Sequence, residues 1–129
     1  MTSTIVAPPA HPLAIAYLRP DAGDEVEIGG LLSAVAECCL RHRLLLVRTI
    51  SDFGYDGRHL DRPGIMELRQ VLSDSVGLTI VVPTLEHLSP ADCIRRPLVE
   101  MIQQLGGILR VARDLESARP DCYVLGRSS

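Results

Sequence analysis

The sequence predicts a three-layer α/β/α domain built on a mostly parallel sheet of four to five strands. Short, largely apolar runs occur at Leu13–Leu18, which is unbroken, and at Leu44–Ile50, Leu78–Val82 and Ile108–Ala112. Runs of that kind, rather than alternating ones, suit strands covered on both faces. Segments of helical period lie between them, and strand–helix–strand order is the pattern of a parallel α/β sheet. With 129 residues, 47% hydrophobic and 22% charged, the chain is large enough for one domain with its own core.

The first run, LAIAYL, is read as the central strand. It is broken by Arg19, Pro20, Asp21, Ala22 and Gly23, a strand exit of the kind where open α/β sheets place ligands, so Arg19 and Asp21 are the first site candidates. The alternative is a surface ion pair of Arg19 with Asp21 or Asp24, worth about 0–1 kcal/mol. Asp24 and Glu25 then suit a helix N-terminus, and Ile28, Leu32, Val35 and Cys39 recur at helical spacing as far as His42. Gly29 and Gly30 do not make a dinucleotide-binding fingerprint, because no such spacing follows the strand.

After the second strand, the polar stretch Ser51–Asp61 is long for a strand-to-helix connection, which places it near the site. Asp61 and Pro63 open a helix with Ile65, Leu68, Leu72 and Val76 on its inner face. Arg62, a cation where the helix dipole is positive, calls for an anionic partner or an anion. The third strand ends at Pro83. Ser89 is expected to cap a short turn of helix near Pro90, with Pro97 breaking it and a longer helix running from Pro97 to Leu105. Gly106 and Gly107 stop that helix before the fourth strand. Cys122–Leu125 is a candidate fifth strand. The expected organisation is a leader over residues 1–12, one domain over 13–125 and a tail over 126–129.

Composition narrows the function. All 13 basic residues are arginine, so lysine chemistry is excluded, and a net charge of −3 argues against a free-standing nucleic-acid binder. Cys38, Cys39, Cys93 and Cys122 lack metal-ligand or disulfide-framework spacing and read as small apolar fillers in a reducing cytoplasm. No metal and no cofactor is expected. Residues 1–12 have neither a basic start nor a long apolar core, so no signal peptide or membrane association is expected.

AIAYLRPD, the loop with Asp52, DRPGIMEL, IVVPTLEHLSP and LGGILRV, in this order from about Leu13 to Ala112, resemble the catalytic domain of the serine recombinases, the resolvase and invertase family. That resemblance implies a Tyr-x-Arg-Val-Ser motif at the end of the first strand, whose serine attacks a DNA phosphodiester while nearby arginines stabilise the developing charge. Tyr17 and Arg19 match it, but Asp21 stands at the serine. Arg62 matches the arginine that opens the second helix. In the family's Leu-Asp-Arg-Leu-x-Arg motif, Glu86 replaces the aspartate, His87 the first arginine and Pro90 the second.

The resemblance therefore implies a degenerate member with no catalytic residue, and with Arg19 and Arg62 as DNA-phosphate contacts. The family's long interface helix and helix-turn-helix domain are not expected here. Glu86 and His87 as an acid–base pair are set aside, because neighbours in a turn rarely face one target. A second copy or another protein is the expected partner, with weak or no DNA binding by the chain alone. The competing expectations are an active or accessory DNA recombinase component, and a small-molecule or phosphoryl-accepting flavodoxin-like module using Asp21 and Asp24.

Overall fold

The computed structural model describes residues 12–54 and 60–113; the expected leader, most of its length before Pro12, the middle of the Ser51–Asp61 loop, the candidate strand at Cys122–Leu125 and the tail lie outside them. Four strands, β1 (Leu13–Leu18), β2 (Leu45–Ser51), β3 (Thr79–Val82) and β4 (Ile108–Val111), alternate with α1 (Glu25–Arg41), α2 (Pro63–Asp74) and α3 (Asp92–Gln104). A 3-10 turn at Leu85–His87 follows β3. All pairings are parallel, in the order β2-β1-β3-β4.

β1 is central, and every residue after Leu13 is buried. Its faces divide the core by the two-residue period of a strand. Ala14, Ala16 and Leu18 turn toward α1, meeting Leu31, Val35, Cys38 and Cys39. Ile15 and Tyr17 turn the other way, to Ile65, Leu68 and Leu72 of α2 and Leu98 and Ile102 of α3. Each large aliphatic side chain so enclosed contributes about 1.5–3 kcal/mol of burial.

The register of β2 on β1 shifts between Ala14 and Ile15: Leu46 pairs with Ala14, but Arg48, not Val47, pairs with Ile15. Val47 is an extra residue, a bulge that flips the remainder of β2 to the opposite face. Ile50 thereby joins Tyr17 in the α2 core. Arg48 meets Glu67 of α2 at 3.0 Å. Val47 itself is half exposed.

Several expectations are corrected. Pro97 does not break α3 but lies inside it, because a proline removes one backbone donor while burial of Leu98 and Ile102 holds both sides of it. Ser89 is not the helix cap: its Oγ accepts the N–H of Ala91 (3.0 Å), and Ala91 is the N-cap residue, without a side-chain cap. The short turn of helix lies at Leu85–His87, ahead of Pro90. α1 buries Leu31, Val35, Cys38 and Cys39, a stripe displaced from Ile28 and Leu32, which stay half-buried near its open end. Val76 is exposed, since α2 ends at Asp74 and extended Ser75 turns the chain off the helical face. Cys93 is exposed on the first turn of α3 rather than filling the core.

Candidate functional site

β1 and β3 are neighbours whose chains leave in opposite directions, β1 into α1 on one face of the sheet and β3 toward α3 on the other. That divergence makes the carboxyl ends of the two strands a topological switch point, where an open α/β sheet usually carries its ligand crevice. One wall is the turn Arg19–Asp24, and the other is the 3-10 turn Leu85–His87.

The β1 exit is held by side chains. The backbone N–H of Arg19 donates to Nδ1 of His87 at 2.8 Å, and Nη2 of Arg19 donates to the Glu86 carbonyl at 2.9 Å. The N–H groups of Asp21, Ala22 and Gly23 all donate to the Glu27 carboxylate, at 2.7, 2.8 and 2.7 Å. The N–H of Glu27 in turn donates to Asp24 Oδ1 at 2.8 Å, so Asp24 is the N-cap of α1, as its sequence position suggests. Glu27 is three residues beyond that cap, the spacing of a capping box, but it reaches further back into the turn. The donors from Asp21 and Gly23, and to a lesser degree Ala22, hold its carboxyl below the usual range. Gly23 has φ +73°, and an added Cβ would meet the Phe53 ring at 2.6 Å, so this residue suits the left-handed region and the ring packed over it.

Beneath the turn lies a buried polar cluster. Tyr17 Oη donates to Asp52 Oδ2 at 2.6 Å, and the N–H of Gly64 donates to Asp52 Oδ1 at 2.7 Å. Arg62 Nε stands 3.9 Å from Asp52 Oδ2, both side chains 1% exposed. The Arg62 guanidinium lies 5.7 Å from the Tyr17 ring centroid, and its Nη2 donates to the Leu88 carbonyl. Burial, then the bond to Asp52, pushes the Tyr17 phenol well above its ordinary value. The β2 bulge is what turns Asp52, two residues beyond Ile50, onto this face.

Of the residues predicted from the sequence, Arg19, Asp21, Glu86 and His87 meet at the crevice. Arg62 has the anionic partner its position calls for, in Asp52, and its guanidinium is enclosed in this structure. Burial, then the Arg19 charge, holds His87 below the ordinary imidazole value. Glu27 and Gly64 were missed by sequence reasoning. The Asp24-x-x-Glu27 spacing was the available signal for the first, and nothing local pointed to the second.

Solved structures share this arrangement of elements. The N-terminal catalytic domain of TP901-1 integrase matches with a TM-score of 0.69 at 19% identity, over 87% of this chain and 88% of that one. The fold is that of a serine recombinase catalytic domain. The C-terminal catalytic domain of ISC1926 TnpA, an IS607-like serine recombinase, matches at 0.66 and 14% identity over 79% and 70% of the two chains. A resolvase family site-specific recombinase from Streptococcus pneumoniae matches at 0.63 and 13% identity over 78% and 72%. No family model and no curated protein matches the sequence. At these identities the likeness is one of fold, so the chemistry of this serine recombinase fold is argued from its own residues. Among the described residues, no helix is long and apolar enough to cross a membrane.

Proposed function

We propose that this chain is a serine-recombinase-fold domain without strand-cleaving activity, acting as a non-catalytic interaction or regulatory module with a residual DNA-phosphate contact at Arg19, backed by the enclosed charge of Arg62. The observation that carries the reading is the occupation of the Asp21–Gly23 amides by Glu27. Attack on a phosphodiester needs a nucleophile and positive potential at one point. At the Asp21 position the chain instead presents two carboxylates, Asp21 and Glu27, which oppose the close approach that cleavage needs, whereas the Arg19 guanidinium is held at the Glu86 carbonyl.

The nearby hydroxyls are engaged elsewhere, Tyr17 with Asp52 and Ser89 with the Ala91 amide. Arg19 supports the phosphate contact. Its Nε is buried and has no hydrogen-bond partner among the described residues, an unmet donor that an anionic oxygen would satisfy. The interaction role is supported by Leu45 and Val47 of the edge strand β2 and Leu13 beside Leu45 at the start of β1, apolar side chains exposed among the described residues.

The test is fluorescence anisotropy of a labelled DNA duplex at low salt, with wild type and Arg19→Ala, run beside a nicking assay on supercoiled plasmid. Weak, salt-sensitive binding reduced by Arg19→Ala, with no nicking, is expected. Nicking with protein left covalently on the DNA would establish the active-recombinase reading instead. Equal binding by the two proteins would remove the phosphate contact and leave the interaction role.

A further inference from the structure

We propose that His87 is a positioning residue for Arg19: as an uncharged acceptor at Nδ1 it fixes the Arg19 backbone at the crevice, and the phosphate contact of Arg19 depends on His87 remaining uncharged. This rests on the phosphate reading of Arg19 given above.

The argument starts from the donors. An N–H directed at Nδ1 over 2.8 Å requires a lone pair there, so the imidazole carries its proton on Nε2. Protonating Nδ1 puts two donors face to face and ends the contact. Pro20 has no N–H and the next three amides go to Glu27, so the Arg19 amide is the point of the turn that His87 holds. Consecutive residues of the 3-10 turn grip one arginine at two points, His87 at the backbone and the Glu86 carbonyl at the guanidinium. The backbone anchor fixes where the side chain starts, and the Glu86 carbonyl holds its far end.

The groups around the imidazole come from every element that meets it. Arg19 and Asp21 face it from the β1 exit, Glu27 from α1 and Arg113 from the end of β4, and Glu86 precedes it on its own turn. The two arginines oppose protonation and the carboxylates favour it. Burial adds to the arginines and leaves the neutral form dominant at neutral pH. Where the family resemblance implies an arginine, a residue with five donors and no acceptor, His87 supplies the acceptor.

The experiment uses the full chain and one labelled DNA duplex, with wild type, Arg19→Ala, His87→Ala, His87→Asn and the Arg19→Ala/His87→Ala double variant. At pH 7.5, His87→Ala is expected to lower the log–log salt slope by about one, the loss of one phosphate contact. The double variant is expected to be no weaker than Arg19→Ala alone, since residues acting through one another are not additive. His87→Asn, which keeps an acceptor near Nδ1, should restore the slope.

The affinity gap between wild type and Arg19→Ala should close as pH falls through the His87 titration and stay constant in the Asn background; taking the gap cancels protonation elsewhere. Additive losses, or a gap that ignores pH, overturn the proposal. Nitrogen-15 NMR of the free wild-type protein judges the anchor without DNA. An Nε2–H tautomer, with the Arg19 amide shift following the His87 titration, is expected. An Arg19 amide indifferent to that titration overturns the positioning role even if Arg19 binds phosphate. A following amide with no DNA binding by wild type or Arg19→Ala removes the phosphate reading, and with it the functional half of this proposal, while leaving the anchor intact.

Discussion

Replacing Gly64 by alanine tests the buried cluster most directly, because two opposing effects act at one atom. Gly64 lies in the first turn of α2, and in a helix a glycine is worse than alanine by about 0.5–1 kcal/mol, so propensity alone predicts stabilisation. Tertiary contact predicts the reverse. A Cβ at Gly64 would lie 2.5 Å from Asp52 Oδ2, 2.7 Å from Cγ and 2.8 Å from Oδ1. The carboxylate has little room to retreat, being held by Tyr17 at 2.6 Å and by the Gly64 amide at 2.7 Å. Moving it gives up a hydrogen bond to a buried charged group, about 1.5–3 kcal/mol, and overpacks the cluster by about 1–3 kcal/mol.

Set against the propensity gain, the net cost is about 1.5–5.5 kcal/mol, a large share of a domain's margin. Gly29→Ala is the control. Nothing lies within 4 Å of its added Cβ on α1, so the same substitution should stabilise by about 0.5–1 kcal/mol. Urea unfolding followed by circular dichroism reads both changes. A Gly64→Ala protein at least as stable as wild type would refute the reasoning, since the close approach of Asp52 would then have no energetic weight.

Three further outcomes follow from the same geometry. Tyr17→Phe removes the phenol that donates to buried Asp52 and should cost about 1.5–3 kcal/mol in the same unfolding assay, with loss below about 0.5 kcal/mol contradicting the bond. His87 has a folded pKa below its unfolded value near 6.5, so between the two values the unfolded chain binds more protons. Its contribution to stability is complete above about pH 6.5 and is lost as pH falls through the folded value; His87→Asn should flatten that part of a stability–pH curve. Glu27, held low by three amides, contributes above the ordinary carboxylate range and loses that contribution only at more acid pH. Among the described thiols, Cys93 is exposed and should react promptly with a thiol reagent, whereas Cys38 and Cys39, buried and pushed up by burial, should react only as the protein opens; mass mapping of modified peptides separates them.

Much of the layering was legible in the chain because it depends on local pattern. The unbroken run Leu13–Leu18 can be satisfied only by cover on both faces, and its central place in the sheet follows. Asp24 marks the start of α1 and Pro63 that of α2 through orphan amides that any helix start presents. The charged exit after Leu18 marked Arg19 and Asp21 as candidates on a different ground, that strand ends of open α/β sheets are where ligands sit. A local signal misled where a distant contact outweighed it, as at Pro97, whose missing donor counts for less than the burial of Leu98 and Ile102.

What tertiary structure alone decided is which side chains meet. The bulge at Val47 adds one residue between strands that are 30 positions apart in sequence or more, and a period of two turns that single residue into a change of face for Arg48, Ile50 and Asp52. Asp52 then meets Tyr17, Gly64 and Arg62, drawing that arginine's charge inward. His87 and Arg19 are 68 residues apart, and no periodicity connects them. Strands and helices are settled by neighbours a few residues away, so a sequence displays them; the crevice is assembled from loops whose partners are chosen by pairing order and register, quantities that belong to the folded sheet.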